Sequence, residues 1–130
     1  MIWNGVAMTN QELKERTMDF AVRVLTMVDA LPKTTAGKTV GNQIARSGTS
    51  VAANYRAALR AKSDADFINK ITIVLEEADE SGFWIELAER AKLLPSKRLK
   101  SLLQEAEELT KIFNATRATT KRRTARNHKS

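Results

Sequence analysis

Five polar side chains recur at intervals of three and four along one stretch: Gln43, Arg46, Ser47, Ser50 and Asn54. On a helix that spacing gathers them on a single face, within a segment otherwise built from small and apolar residues. An arginine flanked by hydroxyls and amides can hold a carboxylate or a phosphate. One reading is an internal polar network that fixes helix register, with Glu76 or Glu77 as counterion; the other is contact with a ligand or nucleic acid. A buried Arg46 without a partner would be costly, so both readings require one. We assign Gln43, Arg46, Ser47, Ser50, Asn54, Glu76 and Glu77 to the internal network.

Three other patterns approach known chemistry and fall short. Ala36-Gly37-Lys38-Thr39 matches the end of a phosphate-binding loop, but Pro32 stands where the pattern needs glycine, and a helix precedes it instead of a strand. Gly48-Thr49-Ser50-Val51-Ala52 is one residue short of a nucleophile elbow, which also needs a sheet beneath it and a histidine base. The one histidine is His128, near the C-terminus. Glu76, Glu77, Asp79 and Glu80 form an acidic cluster with no histidine at helical spacing, which favours ion pairing or a solvated face over a metal site. With no cysteine in the chain, thiolate chemistry is excluded. No acid–base or nucleophile constellation appears, so the expectation is a protein that is not an enzyme and has no cofactor.

Charge is the stronger signal. The net charge is +7, and residues 117–130 hold six Lys/Arg and no acid. Lys33 to Lys62 holds six basic residues and no acid, whereas Asp64 to Glu89 holds eight acids against Lys70 alone. Segregation of this kind marks a face for an anionic partner. Lysines and arginines without interleaved aromatics suit phosphate contacts better than base reading. The expected phosphate contacts are Lys38, Arg56, Arg60, Lys62, Arg117, Lys121, Arg122, Arg123 and Arg126.

The elements that must position these groups are helices. At 130 residues, 42% hydrophobic and only 5% aromatic, with two prolines and five glycines, the chain suits one all-α domain. Residues 1–8 read as an N-terminal arm, with Met1 or Met8 as the start. Thr9 with Glu12 forms a capping box, and helix one runs to about Ala30, before Pro32. Helix two extends to about Ala61. On it Gly41, Ala45, Gly48 and Ala52 make a small-residue stripe, expected to meet Ala78 and Gly82 of helix three. Ser63 with Asp66 caps helix three, Asp64 to about Leu93, where Trp84 reads as a packing or interface residue. Helix four follows Pro95 and ends near Thr116; residues 117–130 have no apolar period and are expected to be a disordered basic tail. Four helices on short loops over residues 9–116 make an up-down-up-down bundle. Apolar positions on two faces of helices one and three exceed the needs of one bundle and point to assembly through helix faces. No signal peptide or spanning segment is evident, so a cytoplasmic location without membrane attachment is expected.

Val40 to Lys70, VGNQIARSGTSVAANYRAALRAKSDADFINK, followed by LEEADESGFWIEL from Leu75 to Leu87, resembles the four-helix proteins encoded in intervening sequences of bacterial large-subunit ribosomal RNA genes. These are similar to the accessory variability protein of diversity-generating retroelements. The resemblance covers about Leu13 to Lys121. It implies a bundle that assembles as a basic homopentameric barrel, with nucleic acid and, as for the retroelement relative, a reverse transcriptase as partners. Ala57 stands where members often carry glutamate, which removes a partner for Arg56 or Arg60. The expected function is that of a non-enzymatic, oligomeric nucleic-acid-binding accessory protein, RNA or DNA. The alternative is a protein-interaction scaffold, such as a reverse-transcriptase accessory subunit.

Overall fold

A computed structural model describes residues 2–3 and 5–129, with side chains described from Gly5 to His128. A two-stranded antiparallel hairpin, β1 (Ile2–Trp3) and β2 (Val6–Ala7), leads into four helices: α1 (Asn10–Ala30), α2 (Thr35–Ala58), α3 (Asp64–Arg90) and α4 (Ser96–Lys129). Gly5 takes φ +77° in the hairpin turn, a conformation that costs glycine little. Met8 and Asn4 of the expected arm have different standing. Met8 is buried and accepts a weak hydrogen bond from Arg16 at 3.8 Å, so it belongs to the bundle; Met1 and Asn4 lie outside the described residues.

The local signals for the helix starts hold. Thr9 accepts from the Glu12 amide at 3.0 Å, Thr34 from Gly37 at 3.1 Å and Ser63 from Asp66 at 3.1 Å. Each hydroxyl satisfies an amide that the first turn would otherwise leave unpaired. Consecutive helices pack side by side, α1 on α2, α2 on α3 and α3 on α4, while α1 and α4 touch more lightly. Their seam is held at the surface by Arg16, which forms ion pairs with Glu105 and Glu108 at 2.8 Å, and by Arg23 donating to Ser101 at 2.9 Å. The hydrogen bond from Arg16 to Glu105 and the neighbouring charges raise the guanidinium pKa further above its usual value. The core runs along the bundle axis through Leu13, Phe20, Val24, Ile44, Val51, Tyr55, Ile71, Val74, Ile85, Leu99, Leu109, Ile112 and Phe113. Among the described residues no helix is long and apolar enough to cross a membrane.

Two expectations change. The small stripe of α2 faces α1, not α3. A Cβ at Gly48 would come within 2.7 Å of Val24 Cγ2, and one at Gly41 would meet Leu31 at 3.4 Å and Val28 at 3.6 Å. Gly82 turns instead toward Ala106 of α4, at 3.8 Å. Small residues mark where backbones approach, but an unaligned stripe does not name the neighbour. The second change is at the C-terminus. The apolar pattern ends helix four near Thr116 and leaves 117–130 disordered, yet α4 continues to Lys129; Ser130 lies outside the described residues. Thr120 is buried, and Arg123 and Thr124 bond Asp64 at 2.8 and 3.0 Å. The extension is held by Arg123 and Thr124 on Asp64 and by burial of Thr120, none of which hydrophobic periodicity registers.

Candidate nucleic-acid interface

The up-down order brings the C-termini of α2 and α4 and the N-termini of α1 and α3 to one end of the molecule. Asp64 beside Arg123 and Thr124 fixes this register. So does a groove lined by Asn10, Lys62, Ser63, Asp64, Thr119 and Arg123. Arg56, Arg60 and Lys62 therefore lie at the same end as Arg117, Lys121, Arg122, Arg123 and Arg126. Arg56, Arg60, Lys62, Lys121, Arg122 and Arg126 are exposed. Among the described residues none of these six forms an ion pair within 4 Å, although the Lys62 backbone amide donates to Asp66 at 3.2 Å. Arg122 donates to Thr119 at 3.3 Å and half-buried Arg117 to Asn114 at 3.3 Å.

Besides half-buried Arg117, two of the nine expected contacts differ from the rest. Lys38 is exposed but sits in the first turn of α2, at the opposite end, about 27 Å from Arg56 at 1.5 Å per residue. Arg123 is paired with Asp64 at 2.8 Å. The Arg123 hydrogen bond, with a smaller one from Thr124, holds the Asp64 carboxyl below its usual range. Asp66 is likewise lowered, chiefly by Lys70 at 2.8 Å.

The internal network forms in part and in two separate pieces. Ser81 donates to the Glu77 carbonyl at 2.8 Å and shares a hydroxyl–hydroxyl hydrogen bond with Ser47 at 3.1 Å, joining α2 to α3 in the core. Arg46 lies at the surface edge of the same seam, bonded to Glu77 at 2.9 Å and also to Glu80. Asn54 donates to the carbonyl of Ser50, a bond local to α2. Gln43 and Glu76 are exposed and belong to neither piece. Glu80 replaces Glu76 as the second counterion because residues 77 and 80 face α2 whereas 76 points outward. Trp84 donates to Glu80 at 3.3 Å and stands edge-on to Phe83, with ring centroids 4.9 Å apart.

The patterns that approached catalytic motifs have ordinary structural roles. Gly37 lies in the first turn of α2, where a Cβ would come within 1.9 Å of the Pro32 carbonyl; its amide is taken by Thr34. Gly48 and Thr49 sit in mid-helix, Thr49 bonding the Ala45 carbonyl at 2.6 Å. No group of three or more metal-ligating side chains converges among the described residues.

The sequence left a second cationic region unassigned. Lys33, Lys92, Lys97, Arg98 and Lys100 are exposed around the opposite end, the end that also carries Lys38. The signal was present in the run from Lys92 to Lys100, diluted by the leucines that close the bundle there.

The family model for the 23S rRNA-intervening sequence protein matches residues 9–115. The chain belongs to that family. Among solved structures it is similar to a protein of unknown function from the S23 ribosomal protein family of Bacteroides thetaiotaomicron. The identity is 36%, the match covers 80% of this chain and 96% of that one, and the TM-score is 0.75. No curated protein matches the chain.

Proposed function

We propose that this protein is a non-enzymatic, cytoplasmic nucleic-acid-binding accessory protein that works as a homo-oligomer. The observation that carries the reading is the convergence of Arg56, Arg60 and Lys62 with Lys121, Arg122 and Arg126 at one end of the bundle, all exposed and none in an ion pair among the described residues. Six such groups supply phosphate contacts that position a strand without reading its sequence. Binding of unrelated RNA and DNA oligonucleotides at low salt tests it directly; no binding by the intact protein contradicts it.

Assembly is supported by two exposed apolar stripes. Met18, Val22 and Leu25 on α1 are 42%, 56% and 46% exposed, and Ile73, Phe83 and Leu87 on α3 are 44%, 54% and 37% exposed. Because α1 and α3 occupy diagonal corners, the stripes face away from each other, which suits head-to-tail association closing as a ring. The groove beside Phe83 is rimmed by Asp79, Glu86 and Glu107, with Lys111. We take the ring to be the pentameric barrel that the resemblance implies. Repetition of the basic end around a ring would turn weak contacts into avid binding.

The same acid-rimmed groove at Phe83 favours a second reading, a scaffold for a protein partner, for which the resemblance to retroelement accessory proteins suggests a reverse transcriptase. An oligomer that binds no nucleic acid at low salt would decide for the scaffold.

A further inference from the structure

We propose that the groove between the end of α4 and the α2–α3 turn seats one unpaired nucleotide of the bound strand, an inference that rests on the nucleic-acid reading above. The groove has a volume of about 660 Å³, within the range of sites that hold small organic ligands. Its wall has three chemically distinct parts. Leu59 and half-buried Phe67, packed against the core, form an apolar side; Ser63 and Thr119 bring hydroxyls; Lys62 and Arg123 bring exposed cations. These parts match a base, a sugar and a phosphate in turn. An α4 that stopped at Thr116 would leave no such groove, since Thr119 and Arg123 belong to the extension.

The geometry selects an unpaired nucleotide. A base held within a duplex stack cannot enter a recess on a convex helical surface, whereas a splayed base can stack on an aromatic wall and offer its edges to side chains. Arg123 can serve the phosphate while it stays bonded to Asp64. One terminal nitrogen is engaged with Asp64 Oδ1 at 2.8 Å, and a guanidinium carries five N–H donors. Asp64 then orients the arginine from the α3 side and leaves its remaining donors toward the strand.

The test uses the full chain and two labelled RNA hairpins that differ by a single bulged nucleotide, with affinity read by fluorescence anisotropy. The wild type should bind the bulged hairpin about tenfold more tightly. Thr119→Trp, at an exposed helical position, should fill the groove and abolish the preference; Thr119→Ser should retain it. Equal affinity of the wild type for the two hairpins would overturn the proposal and leave the phosphate-binding reading intact, as would a Thr119→Trp variant that keeps the preference. Absence of binding to either hairpin would overturn both. Adenosine monophosphate bound saturably, without any bulge preference, would assign the groove to a free nucleotide and overturn the polymer site.

Discussion

Arg123 donates to Asp64 at 2.8 Å across 59 positions of sequence, so the most basic segment of the chain is moored to the first turn of α3. Thr124 adds a second bond to the same carboxylate, at 3.0 Å. Both groups are partly exposed, so the contact fixes geometry more than it adds global stability. Its consequence is a helical extension projecting past the start of α1, with cations at regular spacing.

Asp64→Asn should loosen that mooring. Asp64 is depressed in the folded state, so its contribution is present at neutral pH and lost as pH falls through the lowered value. Amide protection factors at residues 120–129 should therefore fall in acid for the wild type, and at neutral pH for the variant. The substitution also removes a negative charge beside Arg123, so affinity for nucleic acid at low salt should rise. Unchanged exchange in the variant would show that other contacts hold the extension.

Tyr55 gives a prediction at the alkaline end. Its ring lies in the core, 5.3 Å from Phe113, and burial pushes its pKa up to about 12. A raised value means the neutral phenol is favoured when folded. The contribution is complete below the unfolded pKa, near 10, and is lost as pH rises toward 12. Tyr55→Phe should melt within a few degrees of wild type at pH 7 and lose less stability than wild type between pH 10 and 12. Parallel curves over that range would contradict the assignment.

Two glycines should respond in opposite senses. Gly48→Ala forces a methyl onto Val24, a branched side chain with little freedom to move, and should destabilise by about 1–3 kcal/mol despite alanine's better helix propensity. Gly82→Ala meets Ala106 at an ordinary 3.8 Å and should stabilise by up to about 1 kcal/mol. Chemical denaturation of both variants measures the contrast.

The fold was largely written in local patterns. Thr9, Ser63 and Pro32 marked helix boundaries by chemistry that acts within one turn, and core periodicity placed the stripes of Phe20, Ile71 and Leu109. What escaped was relational. The sequence could not say that Gly48 meets Val24, or that Gly82 meets Ala106, because a small residue announces closeness without a partner. Residues 117–129 were missed because Arg123 and Thr124 on one carboxylate hold them, with little apolar burial for periodicity to detect. Of the candidate site, the α2 and α4 cations were legible as a composition. That Arg56 and Lys121 share an end, and Lys38 does not, depended on the direction of each helix.

Assembly through the α1 and α3 stripes predicts that Phe83→Glu lowers the molecular mass seen by sedimentation while the melting temperature of the bundle stays close to wild type. Phe83 is 54% exposed, so its replacement should cost the isolated chain little. An unaltered mass would remove Phe83 from the interface.

The central claim is that the gathered cations bind a polyanion, and a salt titration tests it most directly. Across 50–200 mM salt, log affinity for duplex DNA should fall with a slope of roughly −5, as six phosphate contacts require. Neutralising Arg56, Arg60, Lys62, Lys121, Arg122 and Arg126 together should flatten that slope toward zero. A slope near zero in the wild type, or one untouched by the six substitutions, would contradict the account.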